Sequence, residues 1–380
     1  MKIKVLEING YAMLYRGAEV LLLNIYKEID KAEIQMDFLT PLDCRNDQMR
    51  QEIESRGGKI YELNAIDRPI LNKLVFFKLI NFIKMHQYDI IHIHTGSIVY
   101  MALASLAARI AGAKVVIVHS HNSADVSTGV TSSGWKKKIC SPIIQRCSTY
   151  KWACSDKASE YMFGTTQDTY IMNNGIYIDD FSYSKESRIR VRNALKIQEN
   201  EIVIGHVAQF TKVKNHKFLI DIFEELSHKY SNVKLLLVGS GELFDDMQKY
   251  VNHKELSDKV FFYGISKNVA ELLSSMDVFV LPSYFEGLPV VGIEAQCSGL
   301  PCYISNCVTK QLDLTGNVKF LPIDEGIEPW VSALSNAITN IHRDIYAPEK
   351  LKKRRFDICD VSNEVCKKYK SIIQGESNNE

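Results

Sequence analysis

Short runs of consecutive apolar residues alternate along this chain with longer stretches whose apolar positions recur every three or four residues. The first short run is 3–8, and the first long stretch is 18–29, with Val20, Leu21, Leu23 and Ile25 along it. The first pattern suits a buried strand and the second a helix that shows one apolar stripe to a core. Further strands are predicted at 34–39, 59–63, 89–94, 114–119, 151–154 and 170–172. Between them fall a polar helix capped by Gly57-Gly58, an amphipathic helix over 71–85, and a helix over 99–111 stopped by Gly112. An amphipathic segment reaching Cys147 and a helix from Ser155 complete the set. Strands alternating with helices imply right-handed βαβ units on a parallel sheet, which bind ligands beyond the C-terminal strand ends.

A second βα series begins at Ile202. Its strands are predicted at 202–207, 234–238, 260–263, 278–281 and 302–305, with a helix over 215–229 among those between them. After Trp330 the pattern reads as helical to the end, and the tail after Gln374 as disordered. The Ser/Thr/Gly-rich stretch 123–134 reads as a mobile loop.

A length of 380 residues fits two domains of ordinary size. With 46% hydrophobic and 24% charged residues the chain has the composition of a soluble globular protein. A formal net charge of +1 gives nucleic acid no bulk electrostatic attraction, so no nucleic-acid partner is expected. The nine cysteines contain no C-x-x-C pair and read as reduced thiols, which favours a cytoplasmic location. No apolar run is long and uncharged enough for a transmembrane helix.

One stretch organises the rest: SYFEGLPVVGIEAQCSG, 283–299. It follows an apolar strand, opens with a loop containing Glu286 and Gly287, and places Pro289 where a helix begins and Gly299 where it closes. A strand, a glycine-containing turn and a helix N-terminus make an anion site, because unpaired N–H groups and the helix dipole point the same way. Glu286 and Glu294 flank it, and carboxylates accept hydrogen bonds from sugar hydroxyls. Phosphate-binding backbone between two hydroxyl acceptors suits a nucleotide-sugar.

The wider stretch VFFYGISKNVAELLSSMDVFVLPSYFEGLPVVGIEAQCSGLP, 260–301, resembles the donor-binding core of retaining glycosyltransferases of family 4. The resemblance extends over nearly the whole chain and implies the GT-B fold, two Rossmann-like domains facing across a cleft. It implies an N-terminal acceptor-binding domain over 1–182 and a C-terminal donor-binding domain over 183–355. A final helix over 356–374 would cross back to the first domain, ahead of a disordered tail at 375–380. NNGIYIDDF, 173–181, resembles the family's inter-domain segment.

The resemblance also assigns roles. The E-x7-E pair falls on Glu286, for hydroxyls of the transferred sugar, and Glu294, for the ribose. His121, in HSHN, matches the histidine placed under the donor sugar. Lys214, in K-N-H, matches the lysine that contacts the diphosphate, but Gln209 stands where the family usually has arginine. A charge-assisted hydrogen bond contributes about 1.5–3 kcal/mol against about 1 for a neutral one, so Gln209 supplies less, with Lys212 or Arg16 as compensating cations. Gly17 in the first βα loop, Gly239 and Gly241 in G-x-G, and Ser266 in the base-reading loop complete the expected donor contacts. The helix amides of Gly287, Leu288 and Val290 join them. His121, Lys214 and Glu286 are the expected catalytic groups.

Two H-x-H pairs, His92 with His94 and His119 with His121, raise a metal site. No acidic ligand motif accompanies them and the chain lacks D-x-D, so the expectation is structural histidines, no metal and no cofactor beyond the nucleotide-sugar substrate. The family implies metal-independent, retaining transfer from a UDP-sugar to a glycan or lipid-linked saccharide in surface polysaccharide synthesis. The basic runs at 135–138 and 351–355 would then rest on the inner face of a membrane. Rival readings are a glycoside hydrolase using the two glutamates, a nucleotide-sugar 2-epimerase, and a non-catalytic partner subunit.

Overall fold

The structure is a computed structural model that describes residues 2–10, 12–13, 17–44, 46–63, 73–123 and 134–375. The chain divides into two compact units, Met1–Gly175 with Ile358–Glu380, and Ile176–Asp357. Each is built on its own parallel sheet with helices packed against it, the pair of Rossmann-like domains that the resemblance implies.

In the first unit the strands are β1 (Ile3–Asn9), β2 (Ile34–Thr40), β3 (Ile60–Glu62), β4 (Ile90–Thr95), β5 (Val115–Ser120), β6 (Tyr150–Ala153) and β7 (Thr169–Ile171). They lie in the order β3-β2-β1-β4-β5-β6-β7, all parallel. Strand order reverses between β1 and β4, which opens a crevice at their C-terminal ends. β4 is buried along its whole length, His92 and His94 included, so its polar residues need partners within the protein.

The second unit carries β8 (Ile202–Val207), β9 (Val233–Val238), β10 (Val260–Gly264), β11 (Val278–Leu281), β12 (Cys302–Ser305) and β13 (Val318–Leu321) in the order β10-β9-β8-β11-β12-β13. Its switch point lies between β8 and β11. Phe223, Leu235, Val280, Trp330 and Leu334 are among the side chains of its core. Arg192 and Arg188 both ion-pair with Asp277, whose Oδ2 also accepts from Val203 N at 2.8 Å. The aspartate that opens D-V-F-V therefore clamps β8 to β11 and is spent on structure.

Three features depart from the sequence reading. β13 was not anticipated, because VKFL is a short edge strand whose second residue, Lys319, is exposed. The region after Trp330 is not one helical run: Glu328–Thr339, Ala347–Lys353 and Ile358–Gln374 are separate helices. Asp344 N donates to Gly299 O at 2.9 Å in the first break, so the backbone there serves a tertiary bond instead of a helix. Residues 176–182 pack with the second unit, Ile176 N donating to Phe356 O at 3.0 Å and Ile178 O accepting from Cys297 Sγ at 3.3 Å.

The helix Ile358–Gln374 returns to the first unit. Its Val361, Val365, Tyr369 and Ile372 are buried, and Ser362 Oγ donates to Ile25 O at 3.1 Å. Arg16, most of the 123–134 stretch and the last five residues lie outside the described residues.

Candidate functional site

The loops after β8 and β11 carry the charged chemistry of the second unit. After β8 the chain passes Gln209, makes a 3-10 turn at Lys212–Lys214, and enters the helix His216–Lys229 through Asn215 in the left-handed conformation (φ 58°, ψ 43°). Asparagine tolerates that conformation, and here its amide also donates to Pro282 O at 3.3 Å. Tyr284 N donates to Val213 O at 2.9 Å, so the two loops are stitched together. Across this junction Lys214 Nζ ion-pairs with Glu286 Oε1, which also accepts from Ser283 Oγ at 2.9 Å. The lysine and glutamate assigned to one ligand are thus in direct contact, 72 residues apart in sequence.

Glu286 leads into the helix Val290–Cys297. Pro289 caps it in an extended conformation (φ −68°, ψ 117°), one position before the first helical turn. Gly287 and Leu288 are buried, and Val290 is half-buried. Glu294, one turn in, is half-buried, and among the described residues no hydrogen bond or ion pair holds its carboxylate. Burial pushes its pKa up to about 7. A carboxylate kept without a partner at that cost is set to accept from hydroxyls.

Gln296, on the same helix, went unremarked in the sequence. It is fully buried and satisfied, donating to Gly292 O (2.9 Å) and Leu312 O (2.7 Å) and accepting from Leu314 N (3.0 Å) and Thr315 Oγ1 (3.1 Å). These bonds fix the helix, and with it Glu294, to the segment after β12. Nothing in the local sequence separates this glutamine from a surface one.

Gly239 and Gly241 serve a neighbouring loop. A Cβ on Gly239 would stand 2.0 Å from Ala208 O, and one on Gly241 2.6 Å from Phe210 O. Only glycine lets the β9 loop press onto 208–210, and Phe210 N completes the seam by donating to Ser240 O at 3.0 Å. That seam presents Gln209, which is exposed, as is Lys212. Ser266 Oγ accepts from Asn268 N at 3.0 Å and lines a shallow depression with Tyr263, Ile265, Lys267 and Glu271. This depression lies beside β10, the strand at the edge of the sheet.

In the first unit β4 and β5 bring four histidines together. The rings of His119 and His121 stack at 4.2 Å, those of His92 and His94 lie 4.0 Å apart, and His92 and His119 are parallel within 10°. His94 Nε2 lies 2.6 Å from Glu7 Oε2, and His94 Nδ1 lies 2.9 Å from His121 Nε2. Burial holds His92 down at about 4 and His119 well below the usual histidine range. Nitrogens of His92, His94 and His119 fall within 4.8 Å of one another, a spacing that a cation could bridge. Of these three rings only His92 and His119 are parallel; His94 is tilted by 42° and 44° to them. His92, His94 and His121 are hydrogen-bonded, whereas neither nitrogen of His119 has a hydrogen-bond partner among the described residues.

His121 follows β5 and is half-buried; Gly17 is exposed at the start of the helix Gly17–Glu28. A Cβ on Gly96 would stand 2.1 Å from Asn122 Nδ2, so this glycine admits the residue after His121 against the β4 loop. Lys214, Glu286, Glu294, Gln209, Gly239, Gly241 and Ser266 all belong to the second unit, while Gly17 and His121 belong to the first. The sequence missed Glu7 and Tyr369 as members of the histidine network.

Basic runs flank both units. Trp135 and Ile139 are exposed beside Lys136–138, and Lys352 pairs with Asp179 at 2.7 Å. Among the described residues no helix is long and apolar enough to cross a membrane.

Two family models match the chain, Glycosyltransferase Family 4 over 15–158 and Glycosyl transferases group 1 over 187–339. A Bacillus subtilis (strain 168) protein that carries the glycosyltransferase name EpsF is 34% identical over 334 residues, covering 84% of each chain. An Escherichia coli protein named UDP-Gal:alpha-D-GlcNAc-diphosphoundecaprenol alpha-1,3-galactosyltransferase is 24% identical over 80% of this chain and 76% of its own. Among solved structures, Anabaena HepE in complex with UDP-glucose superposes with a TM-score of 0.79 at 17% identity, over 97% of this chain and 100% of that one.

Proposed function

The chain belongs to glycosyltransferase family 4, with the GT-B fold and a glycosyltransferase activity in polysaccharide or glycan synthesis, and from that premise we propose that it is a retaining enzyme using a UDP-sugar. Its acceptor is a hydroxyl of a glycan or lipid-linked saccharide. The observation that carries this reading is the Lys214–Glu286 pair at the β8/β11 switch point, set directly before the helix that bears Glu294.

In this reading Lys214, Gln209 and the backbone N–H groups of Gly287, Leu288 and Val290 receive the diphosphate. Glu286 accepts from hydroxyls of the transferred sugar, Glu294 from the ribose, and Ser266 lies against the base. Gly17 lets backbone approach the diphosphate, and His121 hydrogen-bonds the transferred sugar. The bond from the anomeric carbon to the diphosphate oxygen breaks, and its electrons leave with UDP. The acceptor oxygen then attacks the oxocarbenium-like carbon on the face just vacated, giving its proton to the departing phosphate oxygen. Lys214 and the helix amides stabilise the leaving charge, so no metal is assigned a role.

UDP is favoured because the structural relative binds UDP-glucose and the Escherichia coli relative is named for UDP-Gal. That relative's name also specifies a diphosphoundecaprenol-linked acceptor, which favours a cytoplasmic enzyme working at the membrane's inner face, with Trp135 and its lysines against the headgroups. The purified chain is to be given UDP-, GDP- and ADP-sugars with a diphospholipid-linked saccharide. The expected result is transfer from one UDP-sugar with the anomeric configuration kept, as read by NMR of the product. An inverted product, epimerisation without an acceptor, or no turnover of any donor would overturn the proposal.

A further inference from the structure

Glu7, His92, His94, His121 and Tyr369 form one hydrogen-bonded chain whose proton positions can be counted. Glu7 lies on β1, His92 and His94 on β4, His121 just past β5, and Tyr369 on the helix Ile358–Gln374. Glu7, His94 and Tyr369 are each 1% exposed, so no water substitutes for a missing partner.

The Tyr369 hydroxyl donates to Glu7 Oε1 at 2.9 Å. Its single hydrogen is then committed, so at 2.7 Å it accepts from His92 Nδ1. An ionised carboxylate only accepts, so His94 Nε2, 2.6 Å from Glu7 Oε2, carries a hydrogen. When that ring carries this one proton, His94 Nδ1 is bare and accepts from His121 Nε2 at 2.9 Å. His121 is left with Nδ1 as its unprotonated nitrogen, and among the described residues no hydrogen bond occupies it.

We infer that Glu7 and His94 are positioning residues that hold His121 as its Nε2–H tautomer, so that its Nδ1 offers a hydrogen-bond acceptor to a hydroxyl of the transferred sugar. This rests on the proposed function for the sugar contact but not for the tautomer. Burial works to raise the Glu7 pKa, yet the hydrogen bonds it accepts from Tyr369 and His94 favour the ionised form, and its pKa lies below the usual carboxylate range. Burial, followed by the neighbouring His94 and His92, holds His121 well below the usual histidine range and therefore neutral. A neutral ring with its hydrogen on the other nitrogen would be a donor instead, and would select a different group on the sugar. Tautomer control by a carboxylate two groups away is how a buried anion, out of reach of any ligand, acts on specificity.

The test uses the full chain labelled with 15N-histidine, whose long-range 1H–15N spectrum reads each tautomer directly. At pH 7.5 the wild type is expected to show His94 and His121 as neutral Nε2–H forms. A doubly protonated His94, or His121 carrying its hydrogen on Nδ1, overturns the inference. In Glu7→Leu the acceptor that fixes His94 is gone, and the Nδ1–H form of His121 should become populated. If this variant folds and His121 stays wholly Nε2–H, Glu7 does not set the tautomer; if it does not fold, the wild-type spectrum decides alone. Transfer kcat/KM should fall about 10-fold in Glu7→Leu, and Glu7→Leu with His121→Ala should lose no more than His121→Ala alone. Additive losses would make Glu7 merely structural. No transfer by the wild type from any donor defeats the functional proposal while leaving the tautomer result readable.

Discussion

Both units place chemistry at the C-terminal ends of strands beside a switch point, yet the electrostatics of the two edges are opposite. In the second unit a lysine and a glutamate on surface loops pair at β8 and β11, within reach of solvent. In the first unit four imidazoles stack between β4 and β5 around one buried anion, Glu7. A charged pair at an edge is available to exchange its partners for ligand groups. A neutral stack around a buried anion resists exchange, and acts instead by fixing where hydrogens sit.

The largest effect should therefore come from the exchangeable pair. Replacing Lys214 or Glu286 by alanine removes one preorganised contact to developing charge or to the sugar, and kcat/KM for transfer should fall roughly 10²–10³-fold. Thermal stability should change far less than activity, because even a solvent-exposed ion pair contributes only about 0–1 kcal/mol and this pair, 21% and 14% exposed, is only partly buried. A comparable loss of melting temperature in either variant would move this pair from function to structure.

The opposite signature is expected of the histidine stack. His92, at about 4, and His119 and His121, well below the usual range, are held neutral by burial, so the unfolded chain binds more protons at these three than the folded one between the two values. Stability contributed by these groups is complete above about pH 6.5 and is lost as pH falls toward 4. For His92 alone that loss is roughly 3 kcal/mol at about 1.4 kcal/mol per pH unit. Glu7 acts in the same direction, since its folded pKa is also depressed. The second unit has fewer such groups, His206 at about 4 and His216 at about 2, and Glu294 opposes them because its pKa is raised. Trp152 and Trp330, buried in the first and second units respectively, report on each unit separately. In single-tryptophan variants the Trp152 fluorescence should change at the higher pH during acid titration. Coincident midpoints would erase the difference between the units.

How far each region could be read from sequence follows the same division. The strand–loop–helix around Glu286 is contiguous, so Gly287, Leu288, Pro289 and Glu294 were legible from composition and spacing together. Only its long-range partner, Lys214, needed the family pattern. The strands β8, β11 and β12 were placed to the residue because each is a short apolar run bounded by polar or turn residues. The histidine network is not contiguous: Glu7 and His94 are 87 residues apart, and Tyr369 is 362 from Glu7. Alternation shows that His92 and His94 share a strand face, but neither spacing nor period tells which neighbouring strand or returning helix supplies their partners. Gln296 and Asp277 were opaque for a related reason, since most of their partners lie far off in the sequence and leave no local signature. The unit boundary shifted because Ile178 packs against the helix bearing Cys297, a contact that follows the turn at 173–175.

The smallest expected effect tests whether the second unit's edge is complete. Gln209 is exposed on the loop that Gly239 and Gly241 press into place, and it stands where the family pattern has arginine. Glutamine donates a neutral hydrogen bond, whereas guanidinium offers two parallel donors and a full charge to a phosphate. The difference between a charge-assisted and a neutral contact is about 1 kcal/mol, so Gln209→Arg should raise kcat/KM for the UDP-sugar by roughly five-fold. The exposed position accepts the larger side chain without displacing core, and the melting temperature should hold. If Lys212 beside it already supplies the missing charge, Gln209→Arg will be neutral and Lys212→Ala will cost several-fold. In that case, combining the two should restore wild-type transfer. A drop in activity for Gln209→Arg would mean that glutamine is read by the ligand itself, and that this edge recognises something other than a diphosphate at that point.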